Sequence, residues 1–196
     1  ILKVLENSGL QSQEDDSTSQ AGQRTVVLRE SVAKRVLDMC VAAVLLAILS
    51  PLFLFIAIIV KRDSPGPVFY RGPRLGRGGK RFLILKFRTM HECPESYSGP
   101  RLTAQGDTRM TPLGRRLRDT KLNELPQLWN VLKGDMSLVG PRPEDPELAE
   151  ALPSEVRREI LSVRPGITSP ASILYRDEES MLAPGKSMDT YLGTIL

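Results

Sequence analysis

The chain has 196 residues, a formal charge of +4, 5% aromatic residues, two cysteines and one histidine. That length holds one domain with a sizeable core, and so few aromatic residues argue against a base-stacking nucleic-acid platform. Cys40 and Cys93 are poorly placed to pair, which argues against a disulfide-stapled secreted fold. The lone His91 leaves carboxylates as the expected metal ligands. The basic balance admits a nucleic acid, an anionic membrane or a phosphorylated substrate as partner.

Residues 7–24 are rich in Ser, Gln, Asp and Gly, with Leu10 their one large apolar side chain. Such a stretch buries too little surface to offset its ordering entropy, so residues 1–24 are expected to be a disordered linker or the remnant of an upstream region. Thr25 to Leu37 is expected to form a helix at a membrane surface, leading into an apolar anchor.

Met39 to Val60 carries no charge, with Lys34-Arg35 before it and Lys61-Arg62 after it. Twenty-two helical residues reach about 33 Å, enough to cross a bilayer core. Equal basic flanks give no orientation to a spanning helix. Pro51 removes the N–H that would bond the Ala47 carbonyl, and Ser50 can repair part of that loss from its side chain. A re-entrant helix, broken at Ser50-Pro51 and leaving on the side it entered, fits basic charge at both ends. An ordinary kinked span is the alternative. The run is not expected to be a cleaved signal peptide, because it starts late, is long and ends in Lys61-Arg62-Asp63.

Ser64-Pro65-Gly66-Pro67 is a turn, Val68 to Tyr70 a strand, Gly76 to Lys80 a second turn and Phe82 to Phe87 a second strand, together a hairpin. Residues 92–110 form a polar loop, and Leu113 to Leu117 a short basic helix. A firmer helix runs from Glu124 to Lys133, capped by Asn123, with Pro126 in its first turn and Gly134 at its end. Leu125, Leu128, Trp129 and Leu132 give it an apolar face. A last helix covers Pro146 to Val163, before the turn Arg164-Pro165-Gly166. The fold class expected is mainly α with a small β-hairpin: membrane helices over 25–63 and a cytoplasmic domain with interfacial helices over 64–196.

From Ser64 to Met90 there are seven basic residues and no acidic one. Arg71 to Arg81 suit anionic lipid head groups. Lys86 and Arg88 fall on one face of a strand end, where a Lys and an Arg suit a diphosphate; a solvated face is the plainer reading. Taken alone, Asn123 and Glu124 read as helix caps, and Gly76 to Gly79 matches no Walker-type loop. Pro141 and Pro143 fix the direction of Arg142, as anion or nucleobase recognition requires, although Pro-Arg-Pro is also a common loop.

From about Lys34 to Leu182 the chain closely resembles bacterial sugar transferases of the monotopic polyprenyl-phosphate phosphoglycosyl transferase kind, which initiate exopolysaccharide and related glycan assembly. The resemblance rests on Ser50-Pro51, Ser64 to Phe69, Lys86-Phe87-Arg88-Thr89-Met90, Asn123-Glu124-Leu125-Pro126-Gln127, Lys133 to Ser137, Gly140-Pro141-Arg142-Pro143 and Arg164 to Thr168, in that order. It implies a re-entrant helix at the cytoplasmic face of the bacterial inner membrane, and Mg²⁺ held by Glu124. It also implies a two-step transfer of a phosphosugar from a nucleoside-diphosphate sugar, usually a UDP-sugar, to polyprenyl (undecaprenyl) phosphate. Lys86, Arg88, Arg118, Pro141, Arg142 and Pro143 would bind substrate; nucleic acid is not an expected partner, and a homo-oligomer is left open.

The family's catalytic pair is Asp-Glu, whereas this chain has Asn123-Glu124. An amide is a weaker nucleophile and a poor Mg²⁺ ligand, so an impaired or substituted catalyst is expected, with an inactive nucleotide-sugar-binding scaffold as the alternative. The family usually continues beyond Leu192, so truncation near Leu196 is also expected.

Overall fold

The computed structural model of the chain describes residues 31–94, 96 and 107–169. The expected linker, the start of the surface helix at Thr25 and the truncation at Leu196 lie outside the described residues.

Helix α1 runs unbroken from Val32 to Asp63 and is long and apolar enough to cross a membrane. From Val32 the expected surface helix and the anchor are one continuous helix, which also continues through Ser50-Pro51. No glycine or proline interrupts the run before Pro51, so nothing stops the helix at Leu37. At Ser50-Pro51 the hydroxyl of Ser50 donates to the Ala47 carbonyl at 2.8 Å. That carbonyl is the one left without a backbone donor by Pro51.

The helix has two unlike faces along its whole length. Leu37, Cys40, Val44, Ile48, Leu54, Phe55 and Ile58 are exposed, while Asp38, Ala42, Ile56 and Val60 are buried. These three- and four-residue steps lay one stripe against the rest of the chain. Before Ser50-Pro51, Ala42, Leu45, Leu46 and Leu49 pack in a core with Ile84, Leu128, Val131 and Met136. After it, Leu52, Phe53, Ile56 and Val60 join a second core with Phe87, Leu117, Leu113 and Phe69.

Strands β1 (Phe69–Leu75) and β2 (Arg81–Phe87) form the expected antiparallel hairpin, pairing Phe69 with Phe87 and Leu75 with Arg81. Phe87 closes it against α1, stacking on Phe69 at 5.4 Å and meeting Phe53 at 5.5 Å. Helix α2 (Pro112–Asp119) begins at Thr111, whose hydroxyl accepts from the Gly114 N–H at 2.8 Å. Gly114 admits no side chain, since a Cβ there would lie 2.0 Å from the Thr89 carbonyl oxygen.

Three expectations need correction here. Asn123 caps no helix: it lies inside a 3₁₀ turn over Leu122–Glu124, entered through Lys121 at φ 58°, and the α-helix α3 starts later, at Gln127–Lys133. The buried face of α3 is also rotated from the one expected. Trp129 is 57% exposed, whereas Gln127, Leu128, Asn130 and Val131 are buried. Asn130 goes inside because it substitutes for a neighbouring strand, accepting from the Leu85 N–H and donating to the Leu83 carbonyl, both at 2.9 Å. Finally, Pro146 to Val163 is two helices, α4 (Pro146–Ala151) and α5 (Ser154–Ile160). Pro153 lacks an N–H and holds Leu152 extended at ψ 147°, which ends α4.

A second sheet adds to the hairpin. Strands β3 (Ser137–Val139) and β4 (Gly166–Thr168) pair in parallel. A Cβ on Gly166 would stand 2.1 Å from the Gly140 nitrogen, so the close approach requires glycine. The architecture is mixed: helices around two small two-stranded sheets, with α1 laid along them.

Candidate functional site

The site is built where the end of β2, the 3₁₀ turn and the loop after β3 converge. The Lys86 ammonium donates to Glu124 Oε1 at 2.6 Å, and both side chains are partly buried. Burial pushes the Lys86 ammonium below its ordinary range by more than Glu124 restores, and the Arg142 and Arg74 charges push the same way. For Glu124, burial acts upward, but Lys86 and then Arg142 outweigh it and hold the carboxyl below the usual carboxylate range. Gln127 stands close by without completing a hydrogen bond of normal geometry.

Asn123 is 6% exposed, and its Oδ1 and the Gln127 Nε2 are buried without hydrogen-bond partners among the described residues. Unsatisfied buried polar atoms are costly and uncommon. Here two occur on one short segment that also carries Glu124.

Arg88 is placed elsewhere. Strand β2 ends at Phe87, and the buried Arg88 guanidinium turns into the C-terminus of α1. Its Nη2 donates to the Ser64 carbonyl at 2.6 Å, Ser64 Oγ at 3.0 Å and the Val60 carbonyl at 3.3 Å, and its Nη1 to the Pro65 carbonyl at 2.8 Å. A cation at a helix C-terminus is stabilised by the dipole as well as by these carbonyls. The structure therefore does not bring Lys86 and Arg88 together on one ligand. Arg118, at the end of α2, adds its charge to that of Arg109 on Asp107, whose carboxylate takes the Arg109 guanidinium at 2.6 Å. Pro141 and Pro143 flank Arg142, and the Pro141 carbonyl accepts from the Gly166 N–H at 2.8 Å, tying this loop to β4.

Sequence reasoning missed the groups that tie α1 to this site. Arg35 donates to the Val131, Leu132 and Met136 carbonyls at 2.7, 3.2 and 3.3 Å, closing the C-terminal end of α3. Asp38, 3% exposed, accepts from Lys34 at 2.9 Å and from Ser137 Oγ at 2.7 Å, and Lys34 also bonds Ser137. The Lys34-Arg35 flank thus engages the domain. Arg74, paired with Asp145 at 2.9 Å, was also missed, because composition does not separate it from its basic neighbours.

A family model described as bacterial sugar transferase matches residues 29–192. The chain belongs to that family. It is 46% identical over 144 residues to a UDP-glucose:undecaprenyl-phosphate glucose-1-phosphate transferase of Caulobacter vibrioides, covering 71% of this chain and 53% of the relative. It is 40% identical over 146 residues to a UDP-N-acetylgalactosamine-undecaprenyl-phosphate N-acetylgalactosaminephosphotransferase of Aeromonas hydrophila, covering 72% and 34%. A putative undecaprenyl-phosphate N-acetylgalactosaminyl 1-phosphate transferase of Bacillus subtilis is 43% identical over 123 residues, covering 63% and 68%. The chain thus spans about half the length of the first of these relatives and a third of the second.

Proposed function

We propose that this chain acts on a nucleoside-diphosphate sugar, a UDP-sugar, and passes its phosphosugar to polyprenyl phosphate, with Asn123 making it an impaired or substituted catalyst. The observation that carries the reading is the Lys86–Glu124 pair with the Arg142 charge acting on both members, next to a buried residue 123. Lys86 and Arg142 present positive charge to a diphosphate, and Glu124 holds the Lys86 ammonium in place.

Where residue 123 is an aspartate, a carboxylate oxygen can attack the β-phosphorus and displace the nucleoside monophosphate. The Asn123 amide is neutral and forms that bond poorly. The Glu124 carboxylate suits a hard cation, and the unpartnered Asn123 Oδ1 beside it is the weaker amide donor where the family has a carboxylate. Their small number matches the habit of Mg²⁺ of completing its shell with water and substrate phosphate. When bound, Mg²⁺ would supply charge screening of the diphosphate, with Glu124 its carboxylate ligand.

UMP release from UDP-glucose and UDP-N-acetylgalactosamine, with polyprenyl phosphate present, tests this. The Asn123→Asp variant is expected to be about tenfold faster or more, a difference of roughly 1.4 kcal/mol in the barrier. Equal, robust rates in both chains would overturn the need for an aspartate. Asn123 also favours a second reading, a membrane-bound scaffold that keeps the nucleotide sugar without turnover. Binding without UMP release in either chain would support that one.

The re-entrant arrangement belongs to the same proposal. Its support is that Lys34 and Arg35 near one end of α1, and Val60 and Ser64 at the other, bond to the same domain. The exposed apolar stripe of α1 would then face lipid, at the cytoplasmic face of the inner membrane. Labelling of Ser31→Cys and Arg71→Cys in sealed vesicles is expected to modify both from one side. Modification from opposite sides would restore an ordinary spanning helix.

A further inference from the structure

The hairpin face that carries Lys86 extends beyond its contact with Glu124. In register, Lys86 lies opposite Tyr70, Ile84 opposite Gly72 and Phe82 opposite Arg74. Strand alternation therefore puts Tyr70, Gly72 and Arg74 on the face of Lys86, and Arg71 and Arg81 on the other. Gly72 is buried, and a Cβ there would lie 2.5 Å from the Tyr70 hydroxyl and 2.8 Å from its Cε1. The phenol end of Tyr70, a side chain 40% exposed, is thus folded over Gly72 in the direction of Arg74.

Arg74 is anchored on the side away from this ring. Its Nη1 donates to Asp145 Oδ2 at 2.9 Å and to the Pro73 carbonyl at 2.7 Å. Asp145 is itself fixed, being 5% exposed and accepting the Glu147 N–H through Oδ1 at 3.1 Å as the cap of α4. Both Arg74 contacts run through Nη1, so Nη2 and Nε have no partner among the described residues. A planar guanidinium fixed at one nitrogen and open at the others is suited to a phosphate. Lys86 on the same face is lowered first by burial, and the Arg74 charge adds to that in the same direction as the smallest contribution.

We propose that Arg74 is a further phosphate-binding residue of the nucleotide-sugar site, positioned by Asp145, with the Tyr70 ring lying between it and Lys86. This rests on the nucleotide-sugar reading above and extends it to a residue otherwise classed with the lipid-facing basic stretch. The ligand recognised is the diphosphate of a nucleoside diphosphate, not its base.

Calorimetric titration of the full chain in detergent micelles with UDP and with uridine tests the assignment, with thermal unfolding measured alongside. Arg74→Gln is expected to weaken UDP binding about tenfold or more and leave uridine binding unchanged, with a lower unfolding temperature because the buried Asp145 loses its cation. Arg74→Lys should restore part of the UDP affinity, and Arg81→Gln, on the opposite hairpin face, should change neither ligand. If Arg74→Gln does not fold, Asp145→Asn keeps the cation but loosens its anchor, and a selective loss of UDP affinity is again expected. UDP bound equally by the unaltered chain and Arg74→Gln would overturn this inference alone. Equal loss of UDP and uridine would assign Arg74 a structural role. No UDP binding by the unaltered chain would overturn the nucleotide reading together with this one.

Discussion

Lys86 and Arg88 stand two residues apart in one motif, yet their surroundings differ in kind. Arg88 is buried, and its guanidinium is bonded to the Val60, Ser64 and Pro65 carbonyls that end α1. Lys86 is partly exposed, its bond is to the Glu124 carboxylate, and other cations crowd it. Arg88 is matched to acceptors that never leave. Lys86 is disfavoured as a cation first by burial and then by the Arg142 and Arg74 charges, against which Glu124 holds it. The difference separates a cation that holds the fold from the one that the proposed function gives to the diphosphate.

The largest effect that tests this contrast is expected at Arg88. Arg88→Ala should lower unfolding stability by about 3 kcal/mol, since hydrogen bonds from a charged group contribute roughly 1.5–3 kcal/mol each and the carbonyls would be left buried. Thermal or denaturant unfolding in micelles measures it. A stable Arg88→Ala chain that has lost UDP affinity would erase the contrast and return Arg88 to the phosphate site. Lys86→Gln should do the reverse. Its stability is expected to change by no more than about 1 kcal/mol, as for a part-exposed ion pair, while UDP affinity falls about tenfold. A collapse in stability with affinity intact would show that Lys86 also serves the fold.

The smallest effect concerns another arginine held by the fold, Arg109. Its hydrogen bond holds Asp107 below the usual carboxylate range, despite some upward push from burial. The folded value is depressed, so this stabilisation is complete above the ordinary carboxylate value near 4 and fades as pH falls through the folded one. Acid titration of unfolding should show Asp107→Asn lacking that part of the acid-induced loss. An identical acid profile would mean that the pair contributes nothing to folding.

Much of the fold was legible because it rests on local rules. The hairpin follows from two apolar runs around Gly76 to Lys80, and the end of α3 follows from Gly134, whose φ is 100°. The repair of Ala47 by Ser50 needs only the spacing within one helix turn. The parallel pairing of β3 with β4 was not legible, because each strand has three residues and their partnership spans the sequence between Val139 and Gly166. The inward turn of Asn130 and the outward turn of Trp129 escaped for the same reason: a polar residue becomes a core residue only when a particular strand edge needs its amide.

By itself the sequence determined the apolar helix, the order of the motifs, the family they resemble and the asparagine where that family has an aspartate. These depend on residue identity and spacing alone. Tertiary structure decided which charges face one another. It sent Lys34, Arg35 and Arg88 into contacts between α1 and the domain, paired Lys86 with Glu124, and turned the Arg142 and Arg74 charges on Lys86. Electrostatic interaction depends on distance through space, and Arg74 meets Asp145, and Leu75 the Glu144 carbonyl, only after the hairpin and the loop beyond β3 are packed together.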